Sequence, residues 1–189
     1  MADRRALSLG RLAEALRRGR WHRHGLRLRL PVGLAGIAAL GATALWPPRP
    51  LFVWNVSASA PRGLYWVAPW HAPARGDMVV AWTPQPWRRL AATRHYLPAN
   101  VPLVKRVAAV DGDLVCARHG HLSINGRRAA RQRPFDGRGR PLPAWQGCRT
   151  LGAGAFLLLM DAPDSFDGRY FGPTEASDMI GRATLLWAS

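Results

Sequence analysis

The sequence predicts a mainly β protein, an antiparallel β-sheet domain preceded by one N-terminal transmembrane helix. Three observations lead to this prediction. Short runs of β-branched and aromatic residues recur between Gly and Pro residues along most of the chain. Turn signals separate these runs, and the clearest of them is the Asn125-Gly126 pair of a type I′ hairpin. One long run without a charged residue, Leu30 to Trp46, precedes them all.

The N-terminal region has the charge pattern of a membrane anchor. Residues 1–29 form a leader with nine arginines against two acidic residues. The uncharged run of Leu30 to Trp46 would span about 26 Å as a helix. Because the arginines precede it, the positive-inside rule places the leader in the cytoplasm and Pro48 to Ser189 outside it, as expected for a single-pass protein of a bacterial inner membrane. A signal peptide cleaved after Ala42-Thr43-Ala44 stays an alternative to a retained anchor.

The remainder of the chain divides into predicted strands and one short helix. The helix is expected at Pro86 to Arg94, and the segment from Ala129 to Gly147, rich in Arg, Gly and Pro, is expected to be a long surface excursion. The predicted strands are Leu51–Val56, Leu64–Val67, Asp77–Trp82, Leu103–Val110, Asp113–Ala117, His121–Ile124, Ala155–Met160 and Ile180–Trp187.

Composition restricts the partners and cofactors. The chain has 189 residues and a formal net charge of +16, which by itself favours nucleic acid or an anionic membrane as a partner. Export of the predicted β domain argues against nucleic acid, so we expect membrane lipid and no nucleic acid. Two cysteines cannot build a cysteine zinc site, and the six histidines lack metal-ligand spacing. We therefore expect neither a metal nor another cofactor, whereas an oxidising compartment permits a Cys116–Cys148 disulfide.

One serine and one lysine indicate a chemical function. Ser59 follows a predicted strand and precedes a turn at Pro61, a placement that exposes a hydroxyl on a rigid support. Lys105 is the only lysine in an arginine-rich chain, and it lies in the apolar run VKRVAAV. Burial there would lower the lysine pKa and make a Ser–Lys pair possible. The alternatives are a turn serine bonded to local backbone and an exposed lysine on the polar face of a strand.

These segments together resemble type I signal peptidases, and in particular the TraF-like conjugative-transfer signal peptidases. The resemblance covers roughly Leu30 to Trp187, with the membrane segment, serine, lysine and aspartate in the same order. One departure from ordinary signal peptidases is clear, since those have Met after the serine and a further residue before the proline. The segments that carry the resemblance are NVSASAPRGLYWV with its S-x-P-x-G-x-Y box, PARGDMVVAW, YLPANVPLVKRVAAVDGDLV, WQGCRTLG, DSFDGRYFGP and MIGRATLLW.

The resemblance implies a role for each residue of the site. Ser59 would be the nucleophile and neutral Lys105 its general base. The Ser59 backbone N–H and the Ser57 hydroxyl would form the oxyanion hole. Three supporting residues in the last box would orient the lysine, with an ion pair between the second and third, namely Ser165, Asp167 and Arg169. The family's usual Ser after the aspartate is Gly168 here.

Three functions are compatible with this sequence. The first is a membrane-anchored signal peptidase, a serine endopeptidase that cleaves exported precursors carrying membrane-embedded signal segments and that matures conjugative pilin or mating-pair proteins. The second is a general type I signal peptidase. The third is a non-catalytic, membrane-anchored assembly factor of a secretion apparatus that binds acidic partners through its arginines. The two enzymes require Ser59 and Lys105, whereas the assembly factor does not.

Overall fold

The computed structural model describes residues 31–42, 45, 49–69 and 73–189. Residues 31–42 belong to the first helix, α1, and are exposed. Among the described residues, no helix combines the length and the apolarity needed to cross a membrane. The predicted leader of residues 1–29, both ends of the predicted anchor and most of the predicted cleavage site lie outside the described residues. The anchor and its orientation therefore stay predictions.

The chain divides into two units, Met1–Pro48 and Arg49–Ser189. The second unit holds all the elements that follow. Its helices are α2 (Trp87–Thr93), close to the prediction, and the single turn α3 (Gly168–Phe171). Its strands are β1 (Phe52–Asn55), β2 (Gly63–Ala68), β3 (Met78–Ala81), β4 (Leu103–Ala109), β5 (Leu114–Arg118), β6 (His121–Ile124), β7 (Arg127–Arg131), β8 (Gly147–Thr150), β9 (Ala155–Leu159), β10 (Thr174–Glu175) and β11 (Met179–Ala188).

The strands of this unit form two antiparallel sheets. The larger has the order β1-β2-β11-β3-β4-β9-β10 and the smaller the order β7-β6-β5-β8. The prediction of a mainly β, antiparallel fold is confirmed, and each predicted strand is present within two residues of its predicted ends. Three strands, β7, β8 and β10, are not among the predicted strands.

The centre of the large sheet is covered on both faces. Val79 and Val80 are neighbours in β3 and point to opposite faces, and yet both are fully buried. Lys105 of β4 lies directly opposite Val79, and its side chain is only 4% exposed. The alternative of an exposed lysine on a polar strand face is therefore wrong.

The small sheet is closed by a turn and a disulfide. Asn125 and Gly126 have φ values of 49° and 77°, as the predicted type I′ turn requires. Cys116 of β5 and Cys148 of β8 face each other in register and are bonded, so the expected disulfide is present. The bond closes a covalent loop that contains the arginine-rich excursion, whose first residues belong to β7.

Two connections of the fold meet above β4. The turn between β1 and β2 carries Ser59, the strand β4 carries Lys105, and the loop between β9 and α3 carries Ser165. Since β4 lies between β3 and β9 in the large sheet, the lysine stands next to the strand that leads into that loop. Residues far apart in the sequence are brought together in this way.

Candidate active site

The serine loop is shaped by one side chain, Asn55. This residue ends β1 and is 8% exposed. Its Nδ2 donates to the carbonyls of Ser57, Ala60 and Pro61 at 3.0, 3.1 and 3.0 Å. Its Oδ1 accepts the Ser57 backbone N–H at 3.1 Å. Asn55 thus fixes both ends of the segment that presents Ser59.

The far end of the same loop is held from β2. The Tyr65 hydroxyl donates to the Pro61 carbonyl at 2.9 Å. Gly63 has a φ of 143°, and a Cβ there would lie 1.9 Å from the Trp187 carbonyl oxygen of β11. Only glycine allows the strands to approach this closely, which explains the glycine of the S-x-P-x-G-x-Y segment in structural terms.

Lys105 stands between two hydroxyl groups. Its Nζ lies 2.8 Å from the Ser59 Oγ and 2.8 Å from the Ser165 Oγ. Ser165 is itself 3% exposed. A neutral amine can accept a proton from one hydroxyl while it donates a hydrogen bond to the other. The geometry therefore suits proton transfer from Ser59.

Burial decides the protonation of this lysine. Its low-dielectric surroundings disfavour the ammonium form and lower the pKa of Lys105 from 10.5 to about 8, although the nearby carboxylates of Asp167 and Asp164 act in the opposite direction. At pH 7 a pKa of about 8 leaves about a tenth of the molecules with a neutral amine. An unperturbed lysine would be neutral in fewer than about one molecule in a thousand.

Ser57 lies beside Ser59 on the turn. The Ser57 Oγ is 2.9 Å from the Ser59 Oγ and accepts the Ser59 backbone N–H at 3.3 Å. The two groups expected to form an oxyanion hole are thus adjacent. Both lie at the same end of the serine loop, so a carbonyl oxygen that enters between them could receive two hydrogen bonds.

Asp167 and Arg169 form a buried ion pair beneath the lysine. Their side chains are 0% and 3% exposed, and Arg169 Nε donates to Asp167 Oδ1 at 2.8 Å. Asp167 also accepts the backbone N–H groups of Met160 and Arg169 and so caps α3. Arg169 Nη2 donates to the Met160 carbonyl at 2.6 Å. The pair joins the end of β9 to the loop that holds Ser165.

Close packing explains why residue 168 is a glycine. A Cβ at this position would lie 2.8 Å from the Leu158 carbonyl oxygen and 2.9 Å from Leu157 Cδ1. The turn at α3 packs too closely against β9 to admit the serine that the resemblance suggests. Hydrogen bonds to the neighbouring segment are supplied by the Arg169 guanidinium instead, which reaches the carbonyls of Met160 and Pro163.

A cavity of about 430 Å³ opens above Ser59 and Lys105. One wall is formed by residues 133–142, which we call the strap. The strap is tied to the segment after α2, because Asp136 accepts a hydrogen bond from the Tyr96 hydroxyl. Asp136 also accepts a hydrogen bond from Arg140 within the strap. These donors hold the pKa of Asp136 well below its usual range. The guanidinium of Arg140 also lies 5.3 Å from the centre of the Tyr96 ring.

Two features of the site were missed in the sequence. Asn55 precedes a backbone N–H two residues later, which is the spacing of an Asx turn, and this signal could have identified it. The contact of Tyr96 with Asp136 joins residues 40 positions apart. No local pattern signals such a contact.

A family profile and several known proteins match most of this sequence. The sequence profile described as "Signal peptidase, peptidase S26" matches residues 27–188. Two proteins named "Plasmid transfer protein TraF" from Escherichia coli are 35% identical over 70% of this chain and 82% of their own, and 33% identical over 85% and 97%. The "Conjugal transfer protein TraF" of Agrobacterium fabrum is 30% identical over 80% of this chain and 90% of its own.

Among solved structures, a signal peptidase I from Enterococcus faecalis is 21% identical and covers 60% of this chain and 98% of its own. Its TM-score of 0.37 is too low to carry an argument. The profile match and the relatives do carry one, since together they span most of the sequence, including Ser59, Lys105 and the α3 turn. The chain therefore belongs to the signal peptidase family, peptidase S26, as a TraF-like member.

Proposed function

We propose that this chain is a membrane-anchored serine endopeptidase that removes signal peptides from exported precursors. One observation carries the proposal. The amine of a buried lysine lies 2.8 Å from the Ser59 hydroxyl, and burial lowers its pKa to about 8. A general base of this kind must be within hydrogen-bond reach of the proton it takes and must titrate near the working pH. Lys105 meets both conditions.

The reaction follows from these groups. Neutral Lys105 takes the Ser59 proton while the Ser59 Oγ attacks the scissile carbonyl. The ammonium then gives that proton to the leaving amine, the C–N bond breaks, and the signal peptide stays bound to Ser59 as an ester. Lys105, neutral again, activates a water that hydrolyses the ester and restores Ser59. In each half of the reaction, Lys105 gives back the proton that it has accepted, so the free enzyme is restored at the end of the cycle.

The remaining residues stabilise and position these two. The Ser59 N–H and the Ser57 hydroxyl donate to the oxyanion that forms during attack. Ser165 orients the lysine amine through its 2.8 Å contact. Asp167 and Arg169 hold the loop of Ser165 against β9, so their role is to position the base rather than to exchange protons.

The substrates are inferred from chemistry and from the relatives. Membership of the signal peptidase family supports precursors with small residues before the scissile bond. The relatives are named for plasmid and conjugal transfer, which supports conjugative pilin or mating-pair precursors over a general set of exported proteins.

Exposed aromatic side chains support a membrane location. Phe52, Trp54 and Trp66 are 56%, 49% and 42% exposed on β1 and β2. Trp187 of β11 is 65% exposed and meets Trp54 edge to face at 6.1 Å. Aromatic rings of this kind are favoured at the membrane interface. We propose that this surface rests on the outer face of the inner membrane, with the leader in the cytoplasm.

Three variants test the enzymatic proposal against the non-catalytic assembly factor. Ser59→Ala, Lys105→Ala and Lys105→Arg should each abolish cleavage of a precursor while the protein stays folded. Lys105→Arg is included because a guanidinium remains protonated at any workable pH and cannot act as the base. Arg106→Ala, on the neighbouring position of β4, is the matched control and should cleave normally. Cleavage by Lys105→Arg, or full complementation of transfer by Ser59→Ala, would contradict the assignment.

The compartment has its own test. Cys116 and Cys148 should resist thiol labelling in protein taken from its native membrane, because an extracytoplasmic domain is oxidised. Labelling of both cysteines without a reductant would contradict the proposed topology.

A further inference from the structure

A second cavity, distinct from the one above Ser59, lies beside the end of β7. It measures about 700 Å³. Ala129, Ala130 and Arg131 of β7 line one side, and the segment from Met160 to Pro163 lines the other. We call it the β7 groove. None of the proposed chemistry uses it.

The β7 groove adjoins the active site. It shares Arg133, Phe135 and Asp136 with the cavity above Ser59 and Lys105. It also shares Met160 and Asp161 with a third cavity of about 500 Å³, which Ser59 itself lines. The groove is therefore close enough for a segment of a polypeptide that is bound at Ser59.

The strand along this groove offers a free edge. In the small sheet β7 pairs only with β6, so its outer side has no neighbouring strand among the described residues. The pairing shifts between Leu122 and Ser123, which leaves Ala129 without an opposite residue at the point where the groove begins. A bulge of this kind bends an edge strand and disrupts its ladder locally. An extended peptide can add to such an edge through backbone hydrogen bonds.

The charges of the groove are unbalanced. Arg131 and Arg133 are exposed, and neither forms an ion pair with any described residue. The other charged side chains have ionic partners within the protein, namely Asp136 with Arg140, Asp161 with Arg106 and Arg169 with Asp167. The available charge is therefore positive and comes from two guanidinium groups, which match carboxylates in geometry.

We propose that the β7 groove is an exosite for the precursor, which binds an extended acidic segment flanking the cleavage site. The segment adds to the edge of β7, and its carboxylates pair with Arg131 and Arg133. The inference rests on the proposed function, because the occupant is the substrate of the Ser59 site. Arginines also keep edge strands from aggregating. Such a protective role would not require a cavity that adjoins the cavities lined by the reactive serine.

The test compares matched peptides with the full-length protein. A reference peptide carries only the small-residue cleavage site. Further peptides add a short Asp run, or an Asn run of the same length, on either side of that site. The variant Arg131→Glu/Arg133→Glu reverses the charge of the groove. Arg127→Glu/Arg128→Glu makes the same charge change on the same strand, at residues that line none of the three cavities.

The wild type should cleave one of the Asp peptides with a kcat/KM roughly fivefold above its Asn counterpart, a size expected for partly exposed ion pairs. Arg131→Glu/Arg133→Glu should lose this preference. Arg127→Glu/Arg128→Glu should keep it and should cleave the reference peptide like the wild type. The exosite is excluded if neither Asp peptide is preferred, or if both double variants lose the preference equally.

Two measurements separate this proposal from others. If the wild type does not cleave the reference peptide, the proposed function fails, and the exosite is tested alone by binding of the labelled Asp peptides to Ser59→Ala. Absence of binding there rejects the exosite. Phosphatidylglycerol vesicles test a lipid partner instead. If the Arg131→Glu/Arg133→Glu protein loses vesicle binding but keeps its peptide preference, the groove is a lipid site and the inference is wrong.

Discussion

Replacing Lys105 by methionine should inactivate the protein and remove a pH-dependent weakness of its fold. Burial lowers the pKa of Lys105 from 10.5 to about 8. The folded lysine thus binds its proton less tightly than the unfolded one. Below pH 8 both states are protonated and the folded state carries the full penalty. As the pH rises from 8 through 10.5, the unfolded chain still binds more protons, so the stability of the wild type increases.

The size of this effect follows from the same values. At about 1.36 kcal/mol per pH unit, a lysine pKa lowered from 10.5 to about 8 corresponds to about 3 kcal/mol at pH 7. At pH 10 less than about 1 kcal/mol of it remains. The loss of the hydrogen bond to Ser165 affects the variant equally at both pH values. The stability difference between Lys105→Met and the wild type should therefore change by about 2–3 kcal/mol in favour of the wild type between pH 7 and pH 10.

Urea denaturation followed by tryptophan fluorescence measures this difference. Arg106→Met is the control, because Arg106 lies next to Lys105 on the same strand but pairs with Asp161 at the surface. Its stability difference from the wild type should not depend on pH in this range. An equal stability difference for Lys105→Met at pH 7 and pH 10 would show that the buried lysine is not the weak base on which the reasoning depends.

Three further outcomes are expected. Ser57→Ala should slow single-turnover cleavage about 100- to 1,000-fold without abolishing it, since the backbone N–H donor remains; an unchanged rate would remove Ser57 from the oxyanion hole. Asn55→Ala should lower kcat for a small ester more than it raises KM and should destabilise the protein by about 1–3 kcal/mol, because it leaves the buried Ala60 carbonyl without the Asn55 donor; a wild-type kcat would show that the loop keeps its shape without this side chain. Gly168→Ser should destabilise the protein by about 1–3 kcal/mol through its clash with the Leu158 carbonyl, as thermal unfolding will measure, and an increase in Tm would contradict the close packing at α3.

Most strands could be predicted because their alternation and their turns are local signals. The Asn125-Gly126 hairpin is the clearest case, since its two positive φ values follow from residue type alone. β8 could not be predicted in this way. All four of its residues are exposed, so it has no apolar face, and it joins the sheet opposite β5, where its Cys148 meets Cys116.

The candidate site also combines features that local sequence signals predict with features that depend on tertiary contacts. The scarcity of lysine and the apolar run around Lys105 suggested a buried amine, and the structure buries it. Alternation within β4 suggested the opposite, because a period of two assumes that one face of the sheet meets water. The loop that covers Lys105 follows the C-terminal end of β9, and only tertiary contacts place its Ser165 next to the lysine. The tie between Tyr96 and Asp136 is equally nonlocal.

The disulfide closes a covalent ring in the chain, with one segment of the chain before the ring and another after it. Its cysteines are 32 positions apart, and the ring includes β6, β7 and the strap. Ser59 and Lys105 precede the ring, whereas Ser165 and Arg169 follow it. A protease cut within the strap would therefore leave one covalently connected molecule with every proposed catalytic group outside the cleaved segment. Because the ring carries β7 and the strap but none of the proposed catalytic groups, we expect that exchanging it between relatives transfers their choice of precursor while the chemistry stays with the host.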